Sequence, residues 1–307
     1  MKQFYIIKAS GQKELFDIKK LENSLRKSGA DDQLVAKILD KVEQELPFNT
    51  AKDVYRFARK YLRKYNKGVA GRYNLKNALR ELGPTGYPFE EFIAQIFKAQ
   101  GFEVKTGVFL NGICVEHEVD VLGKSDHTFF IVECKFHNRY GLKTNVKIPL
   151  YVKARFDDIV AANGNTLEGK VKQAWIFTNT KFTTDAIKYA ECVKLKLVGW
   201  SYPSYASPVA KAMADRQVAS RFVRVATQDR PDGGPQEENL QQLIDKYGLH
   251  PITALSSLSK HQKNFLINKN IVLCSQLAQN KNILRKLNLS DEKIANILSE
   301  SQAVCKI

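Results

Sequence analysis

The sequence predicts an α/β (α+β) protein with a central mixed sheet, preceded by a β-hairpin with helices and followed by an all-α module. Between residues 84 and 200, runs with strand character alternate with runs of helical periodicity, which is the order typical of an α/β layer. Residues 1–83 begin with two short apolar runs around a glycine and continue with helical patterns. Residues 237–307 show helical patterns only.

Composition and charge narrow the class of protein. A chain of 307 residues with 44% hydrophobic residues can bury two or three cores. Its formal net charge of +16 indicates a polyanionic partner such as nucleic acid. Five scattered cysteines without a CxxC pair indicate a reducing compartment and no structural zinc. We find neither a membrane-length apolar run nor a signal peptide, so we expect a cytoplasmic protein with no membrane partner.

The first predicted domain covers residues 1–83. Two short strands are expected at 4–7 and 14–16, and Gly11 lets the turn between them close tightly. Asp17 is a predicted N-cap for the helix that follows. Further helices are expected at 31–45, 50–66 and 73–82.

This segment resembles the ATP-cone, a small nucleotide-binding regulatory domain. The residues that carry the resemblance are Lys8, Gly11, Glu14, Asp17 and Lys20, with the closing stretch at 73–84. The resemblance implies that ATP or dATP binds here and that Lys8 and Lys20 approach its triphosphate. Ala9 departs from the pattern, since a basic residue is common there. No P-loop is present, so the nucleotide would regulate the protein rather than fuel it.

A basic stripe follows within the same domain. Residues 51–80 contain ten Lys and Arg against Asp53 alone among the acids up to Arg80. Six of these cations recur three or four residues apart, which places them on one helix face: Arg56, Arg59, Lys60, Arg63, Lys64 and Lys67. The stripe could hold a DNA backbone or nucleotide phosphates, or it could be an ordinary solvated face.

The second predicted domain covers residues 84–203 and contains the candidate catalytic residues. Strands are expected around Val115–Val121 and from Phe129 to Lys135, with a turn at 123–126. Alternation places Glu133 and Lys135 on one face of the second strand, and a hairpin would bring Asp120 beside them. Carboxylates that converge in this way suit Mg²⁺ or Mn²⁺, with Asp120 and Glu133 as the metal ligands.

Asp120 followed by Glu133-Cys134-Lys135 resembles the PD-(D/E)xK nuclease motif. The preceding helix from Phe89, the Gly101-Phe102 pair and a later apolar strand extend the resemblance to Mrr-like restriction endonucleases. It implies that Asp120 and Glu133 hold the metal and that Lys135 serves the nucleophile or the phosphate. A carboxylate on the helix often assists in such proteins, and Glu90, at the edge of the apolar face, is the candidate.

The remainder of this domain is predicted as a helix at 150–163, a strand at 175–179, a helix at 184–192 and a strand at 195–200. Lys147, Lys153 and Arg155 are candidates for DNA backbone contacts without an assigned place. His117 is expected to be mainly structural, because it lies on the face opposite Asp120. His137 is a candidate for a phosphate or metal contact.

The last part of the chain is predicted as a linker or insertion at 204–236 and a helical module at 237–307. Residues 257–277 resemble a helix-hairpin-helix unit, which would contact DNA phosphates through backbone N–H groups. Asn270 replaces the usual hairpin glycine, and asparagine tolerates the left-handed conformation that this position needs.

Together the two resemblances imply a metal-dependent DNA endonuclease, a type IV restriction or DNA-repair-like hydrolase, with ATP or dATP as regulator. The alternative is a nucleotide-responsive DNA-binding regulator whose nuclease fold no longer cuts. A role in ribonucleoprotein assembly, with RNA as partner, and a homo-oligomeric state also stay open.

Overall fold

The computed structural model describes residues 4–8, 11–164, 170–203 and 238–305. The chain divides into two compact units. Unit 1 consists of residues 1–84, 138–141 and 248–307, and unit 2 of residues 85–137 and 142–247. The predicted linker at 204–236 lies outside the described residues. None of the described helices has the length and apolar composition needed to cross a membrane.

The strands belong to three sheets. In chain order they are β1 (Tyr5–Ile7), β2 (Lys13–Leu15), β3 (Glu103–Asn111), β4 (Glu116–Lys124), β5 (Thr128–Lys135), β6 (Lys143–Thr144), β7 (Val171–Thr178), β8 (Lys181–Phe182) and β9 (Lys196–Val198). The hairpin β1–β2 belongs to unit 1, and the other strands belong to unit 2.

The helices are distributed over both units. Those in the first 84 residues are α1 (Ile18–Lys27), α2 (Asp32–Glu45), α3 (Ala51–Tyr65), α4 (Lys67–Tyr73) and α5 (Leu75–Arg80). Unit 2 contains α6 (Tyr87–Ala99), α7 (Lys147–Ala162), α8 (Thr184–Cys192) and α9 (Leu240–Tyr247). The C-terminal part of unit 1 contains a 3₁₀ turn (Ile252–Ala254), α10 (Lys260–Ile267), α11 (Gln276–Gln279), α12 (Lys281–Arg285) and α13 (Asp291–Cys305).

Unit 2 is built on a five-stranded mixed sheet in the order β3-β4-β5-β7-β9. The pairs β3–β4 and β4–β5 are antiparallel, whereas β5–β7 and β7–β9 are parallel and are connected through α7 and α8. This is the predicted mixed sheet with helices. Its central strand is β5, so the residues at the end of β5 are flanked by β4 on one side and β7 on the other.

The two faces of this sheet are covered by different helices. Phe97 of α6 packs on one face, with ring centroids 4.5 Å from Phe130 and 5.6 Å from Phe177. The other face presents Ile131 and Ile176 to a cluster that includes side chains of α7 and α8. Alternation then directs Glu133 and Lys135 to the α7 face, in line with Ile131.

The first part of unit 1 follows the predicted order of hairpin and helices, and Asp17 is the N-cap of α1, accepting a hydrogen bond from the Lys19 amide at 2.9 Å. In the same unit, α4 packs closely against α13 through two glycines. A Cβ at Gly68 would lie 2.5 Å from the Ala303 carbonyl oxygen, so only glycine allows this approach. Arg72 donates to the Ser28 carbonyl oxygen at 2.8 Å and to that of Ala303 at 2.7 Å, which ties the two parts of the unit together.

One local prediction needs correction, and some elements were missed. The expected turn at Gly123 is wrong, since β4 continues through Lys124 and Gly123 pairs with Phe130. A Cβ at Gly123 would lie 2.0 Å from the Phe130 ring, so the glycine makes room for an aromatic neighbour inside the strand. Strand β3 and helix α4 were not predicted, because the first is largely exposed and the second contains two glycines.

Candidate active site

The candidate site lies at the end of β5. Thr128 to Val132 are buried, and the strand then alternates between a buried Cys134 and the half-buried Glu133 and Lys135. Lys135 stands opposite Thr178 of β7 in the parallel register. Within the described part of the chain, the Lys135 ammonium group makes no hydrogen bond or ion pair. It is therefore available to a substrate group.

Asp120 reaches this site from β4. Val121 pairs with Val132 in the antiparallel register, which sets Asp120 beside Glu133 and Cys134. Its Oδ2 atom accepts a hydrogen bond from the Cys134 amide at 2.6 Å. This bond joins the two strands where their regular pairing ends and fixes the carboxylate next to the Glu133 position. The structure thus brings together the two predicted metal ligands.

Glu90 lies in the first turn of α6, and its electrostatic environment connects it to the same site. Burial raises the pKa of Glu90 to about 7, with further contributions from the charges of Glu118 and Glu133. Burial also raises the pKa of Asp120 to about 7, and the Glu133 and Glu90 charges add to this rise. Asp120 and Glu90 therefore lie in a poorly solvated region near the Glu133 charge, and both effects disfavour their ionisation.

Two residues of α7 complete the site and were not placed there by the sequence. The Arg155 guanidinium donates to Glu133 Oε2 at 2.9 Å and lies 4.7 Å from the centroid of the Tyr151 ring. Burial and the Glu133 charge raise the pKa of Tyr151. Arg155 was predicted only as a DNA backbone contact. The i, i+4 spacing of Tyr151 and Arg155 on a helix that follows β5 is the signal that could have paired them with this strand.

The two nearby histidines have structural partners. His117 Nε2 lies 2.8 Å from Asp158 Oδ2, which agrees with the structural role predicted for it. His137 Nε2 lies 3.1 Å from Thr144 Oγ1, and the His137 amide donates to Asn179 Oδ1 at 2.9 Å. Burial lowers the pKa of His137, and the Lys135 charge lowers it further. The neutral, hydrogen-bonded imidazole of His137 is better suited to stabilise the segment that follows β5 than to bind phosphate.

The donor set at the end of β5 fits a hard divalent cation. In the part of the chain that the structure describes, no group of three or more His, Cys, Asp or Glu side chains is arranged so that it could hold a metal ion. Mg²⁺ commonly uses only one or two carboxylates and takes its other ligands from water and substrate phosphates. Asp120 and Glu133 would supply this pair, and the charge of a bound cation would offset the burial and the Glu133 repulsion that raise the pKa of Asp120.

The predicted nucleotide-binding residues lie at the N-terminal hairpin. Gly11 has φ +82°, the left-handed conformation that the turn requires. Lys8 and Lys20 both form ion pairs with Glu14, with Lys20 at 2.7 Å. Lys8, Glu14 and Lys20 are therefore together, whereas the Asp17 side chain is engaged as the helix cap.

Comparisons with known proteins define the class of the chain. A family model for restriction endonucleases matches residues 83–200, the region that contains Asp120, Glu133 and Lys135. A second model, AF1548-like, C-terminal, matches residues 250–305. The chain therefore carries a restriction endonuclease domain and an AF1548-like C-terminal domain.

Individual relatives place the chain more closely. An uncharacterized protein of Archaeoglobus fulgidus is 34% identical over 213 residues, which cover 69% of this chain and 99% of that protein. The crystal structure of AF1548, a protein of unknown function, aligns with 32% identity and a TM-score of 0.51 over 72% of this chain and 98% of the other. The chain belongs to this AF1548-like family.

A more distant likeness is to Can2 from Sulfobacillus thermosulfidooxidans, in complex with cyclic tetra-adenylate. It has 13% identity and a TM-score of 0.25, and it covers 58% of this chain and 51% of Can2. A likeness at this level supports no conclusion about fold or function.

Proposed function

We propose that the chain is a metal-dependent DNA endonuclease that hydrolyses phosphodiester bonds at the end of β5. The observation that carries the proposal is the convergence of Asp120 and Glu133 beside Lys135 inside a restriction endonuclease domain. Packing carboxylates in a poorly solvated site is costly, and a purely structural sheet end has no need of it. The residues that converge here on β4 and β5 are the same residues, Asp120, Glu133 and Lys135, on which the nuclease prediction rests.

Each residue has a distinct role in this proposal. Asp120 and Glu133 would hold Mg²⁺ or Mn²⁺, which would supply Lewis-acid chemistry to the phosphodiester. Lys135, with its free ammonium group, orients the attacking water or stabilises the charge that develops on the phosphate. Burial and neighbouring carboxylates raise the pKa of Glu90 to about 7, so its carboxylate would be able to accept a proton near neutral pH.

Arg155 is the group that holds Glu133 in the absence of metal. Its guanidinium neutralises Glu133 through the 2.9 Å contact, so the carboxylate is oriented before a cation arrives. A cation and the guanidinium then share the charge of Glu133, which has two oxygens to offer. Arg155 can also contact a DNA phosphate once its hold on Glu133 relaxes, as predicted for a cation near the site.

We further propose that ATP or dATP regulates the nuclease through the N-terminal hairpin. Lys8 and Lys20 converge on the single carboxylate of Glu14, and a triphosphate would attract both ammonium groups more strongly than one carboxylate does. Binding would exchange these ion pairs for phosphate contacts while Gly11 keeps the turn closed. The ATP-cone resemblance of residues 1–83 is the basis of this assignment.

The test is cleavage of plasmid and linear DNA by the full chain with Mg²⁺ or Mn²⁺, with and without ATP and dATP. Lys135→Ala is expected to reduce cleavage by about 10²-fold or more, because it removes a charge that acts in the transition state. Lys188→Ala, which removes an exposed lysine on α8 of the same unit, is the matched control and should cut normally.

The outcomes separate the alternatives. Metal-dependent cutting that is lost in Lys135→Ala but retained in Lys188→Ala supports the nuclease. Equal cutting by both variants would indicate a contaminating nuclease and would contradict the proposal. DNA binding without cutting under every condition favours the DNA-binding regulator. A change in cutting on adding ATP, lost in Lys20→Ala, supports nucleotide regulation.

A further inference from the structure

A basic pocket lies on unit 1, separate from the residues assigned above. It has a volume of about 400 Å³ and lies between the outer face of α3 and the loop at Ser256 and Ser257. Six cations line it, and they are the members of the stripe seen in the sequence: Arg56, Arg59, Lys60, Arg63, Lys64 and Lys67. The structure therefore shows that the stripe borders a concave surface rather than a plain helix face.

The positive charge of this pocket is poorly compensated. Arg56 lies 4.0 Å from Asp53, the one ion pair that the described structure gives to the six cations. Lys67 donates to the amide oxygen of Asn296 at 3.0 Å, a neutral partner. The Nε atom of Arg59 is buried and has no hydrogen-bond partner among the described residues. A buried donor without a partner is costly, and an anion in the pocket would relieve that cost.

The wall opposite α3 is held by a buried carboxylate. Glu300, only 2% exposed, accepts hydrogen bonds from the amides of Ser256 at 2.6 Å and Ser257 at 2.8 Å, and from Ser256 Oγ at 2.7 Å. The Glu300 carboxylate is thus hydrogen-bonded to the loop and holds it in place. The loop forms one wall of the pocket, and the cations of α3 make the surface of the pocket positively charged.

The arrangement of the cations suits an extended polyanion. From Arg56 to Lys64 the helix rises about 12 Å. One DNA strand carries a charge about every 3.4 Å along its axis, so this length matches about three phosphates. A nucleotide triphosphate concentrates its charge in one compact group and would leave part of the stripe without a partner.

Among the described residues, the pocket has no free aromatic ring on which a base could stack. Tyr55 lines it, but its ring stacks on Tyr73 with centroids 5.2 Å apart, and its hydroxyl donates to Asn74. Single-strand binders usually combine cations with aromatic stacking platforms. Cations without such a platform are typical of contacts that position a protein on the DNA backbone without reading sequence.

We infer that the basic pocket beside α3 binds successive phosphates of the DNA backbone, independently of base sequence. The inference rests on the proposed function in one respect, namely that the polyanion is the DNA on which the nuclease acts. The site lies outside the restriction endonuclease domain and outside the predicted nucleotide contacts at Lys8 and Lys20. It would add affinity for DNA of any sequence.

The experiment measures binding of the full chain to a short labelled DNA duplex by fluorescence anisotropy, with EDTA present so that no cutting occurs. The test variant combines Lys60→Ala with Arg63→Ala, two exposed cations of the stripe. The matched control combines Arg285→Ala with Lys286→Ala, an exposed arginine and lysine at the end of α12 in the same unit. Both variants lose the same formal charge, so a general loss of basicity affects them equally.

We expect the test variant to bind about tenfold or more weakly than the control at low salt. The slope of log affinity against log salt should fall by about 2, since two phosphate contacts are removed. The loss should be equal for duplexes of unrelated sequence. Equal affinities and slopes for the two variants would overturn the inference. Loss of ATP binding in the test variant, with DNA binding unchanged, would also overturn it and would make the pocket a nucleotide site.

Comparing binding in EDTA with cleavage in Mg²⁺ for the parent, the stripe variant and the control separates this inference from the proposed nuclease. If the parent binds DNA through the stripe but never cuts, the nuclease proposal fails and the inference stands. If the parent cuts and the stripe variant binds and cuts like the control, the nuclease stands and the inference fails.

Discussion

The two units use their charged residues in opposite ways. In unit 2, Asp120, Glu133 and Glu90 are drawn together in a poorly solvated region, where burial and mutual repulsion raise the pKa of Asp120 and Glu90. In unit 1, cations such as Lys60 and Arg63 are spread along an exposed helix face. The difference teaches that carboxylates crowded in a poorly solvated region cost stability, whereas cations spread along an exposed surface cost little.

The largest expected effect comes from removing the partner of Glu133. Arg155→Met leaves a carboxylate that is 11% exposed without its guanidinium, next to Asp120. We expect the free energy of unfolding to fall by about 1–3 kcal/mol in EDTA, less than for a fully buried pair because both side chains retain some contact with water. Mg²⁺ should restore more stability to this variant than to the parent. Thermal unfolding with and without Mg²⁺ measures both effects.

Lys153→Met is the control for this change. Lys153 lies on the same helix and pairs at 2.5 Å with Asp157, whose side chain is 57% exposed. Its removal should change the unfolding free energy by less than about 1 kcal/mol, with or without Mg²⁺. An equal response of the two variants to Mg²⁺ would show that Glu133 is not a metal ligand.

The sequence predicted the parts of unit 2 that depend on local pattern. Alternation in 129–135 placed Glu133 and Lys135 on one face, and the mixed sheet followed from the order of strands and helices. The sequence predicted Arg155 only as a cation near the site, because its contact with Glu133 depends on how α7 packs across β5. In the C-terminal part, Asn270 has φ +58°, as expected for a residue that replaces a hairpin glycine.

Unit 1 was harder to predict because its contacts join distant parts of the chain. The close approach of α4 and α13 depends on Gly68 facing Ala303, more than two hundred residues away. The pocket likewise needs Ser256 and Ser257 opposite a helix that begins at Ala51. Helical periodicity found the stripe, but only tertiary packing gives it a concave surface.

The second prediction concerns the pH dependence of stability in the absence of metal. The pKa values of Asp120 and Glu90 are both raised to about 7 in the folded protein, so the folded state retains protons that the unfolded chain releases above about pH 4. Stability should therefore fall as the pH rises from about 4 to 7 and level off above that. Each such proton contributes at most about 1.4 kcal/mol per pH unit. Chemical denaturation in EDTA across this range measures the slope.

Asp120→Asn tests the origin of that slope. The amide can still accept the hydrogen bond from the Cys134 amide, but it carries no charge. We expect a shallower fall in stability with pH and a loss of cleavage. Asp126→Asn, at an exposed position in the turn before β5, should leave the parent slope unchanged. A slope that persists in Asp120→Asn would assign it to other groups.

A smaller, local effect is expected at the loop between β3 and β4. Asp158 accepts hydrogen bonds from the Cys114 amide at 2.9 Å and contacts His117 at 2.8 Å. The hydrogen bond with His117, together with the backbone bonds, lowers the pKa of Asp158 to about 2, so the charged form clamps the loop at all moderate pH values. Asp158→Asn should speed hydrogen exchange at the Cys114 and Val115 amides without changing exchange in β5. Asp157→Asn, one residue away and exposed, should leave these amides protected as in the parent.

The smallest effect on the free energy of unfolding is expected when cations of the stripe in unit 1 are removed. Lys60→Ala with Arg63→Ala should change the unfolding free energy by less than about 0.5 kcal/mol, because both side chains are exposed and form no ion pair in the described structure. The same variant should lose DNA affinity, so its binding defect cannot be a folding defect. Thermal unfolding beside the binding assay makes the comparison. A marked gain in stability would show that repulsion among the cations of the stripe destabilises unit 1, as repulsion among the carboxylates destabilises unit 2. The two units would then not differ in this respect.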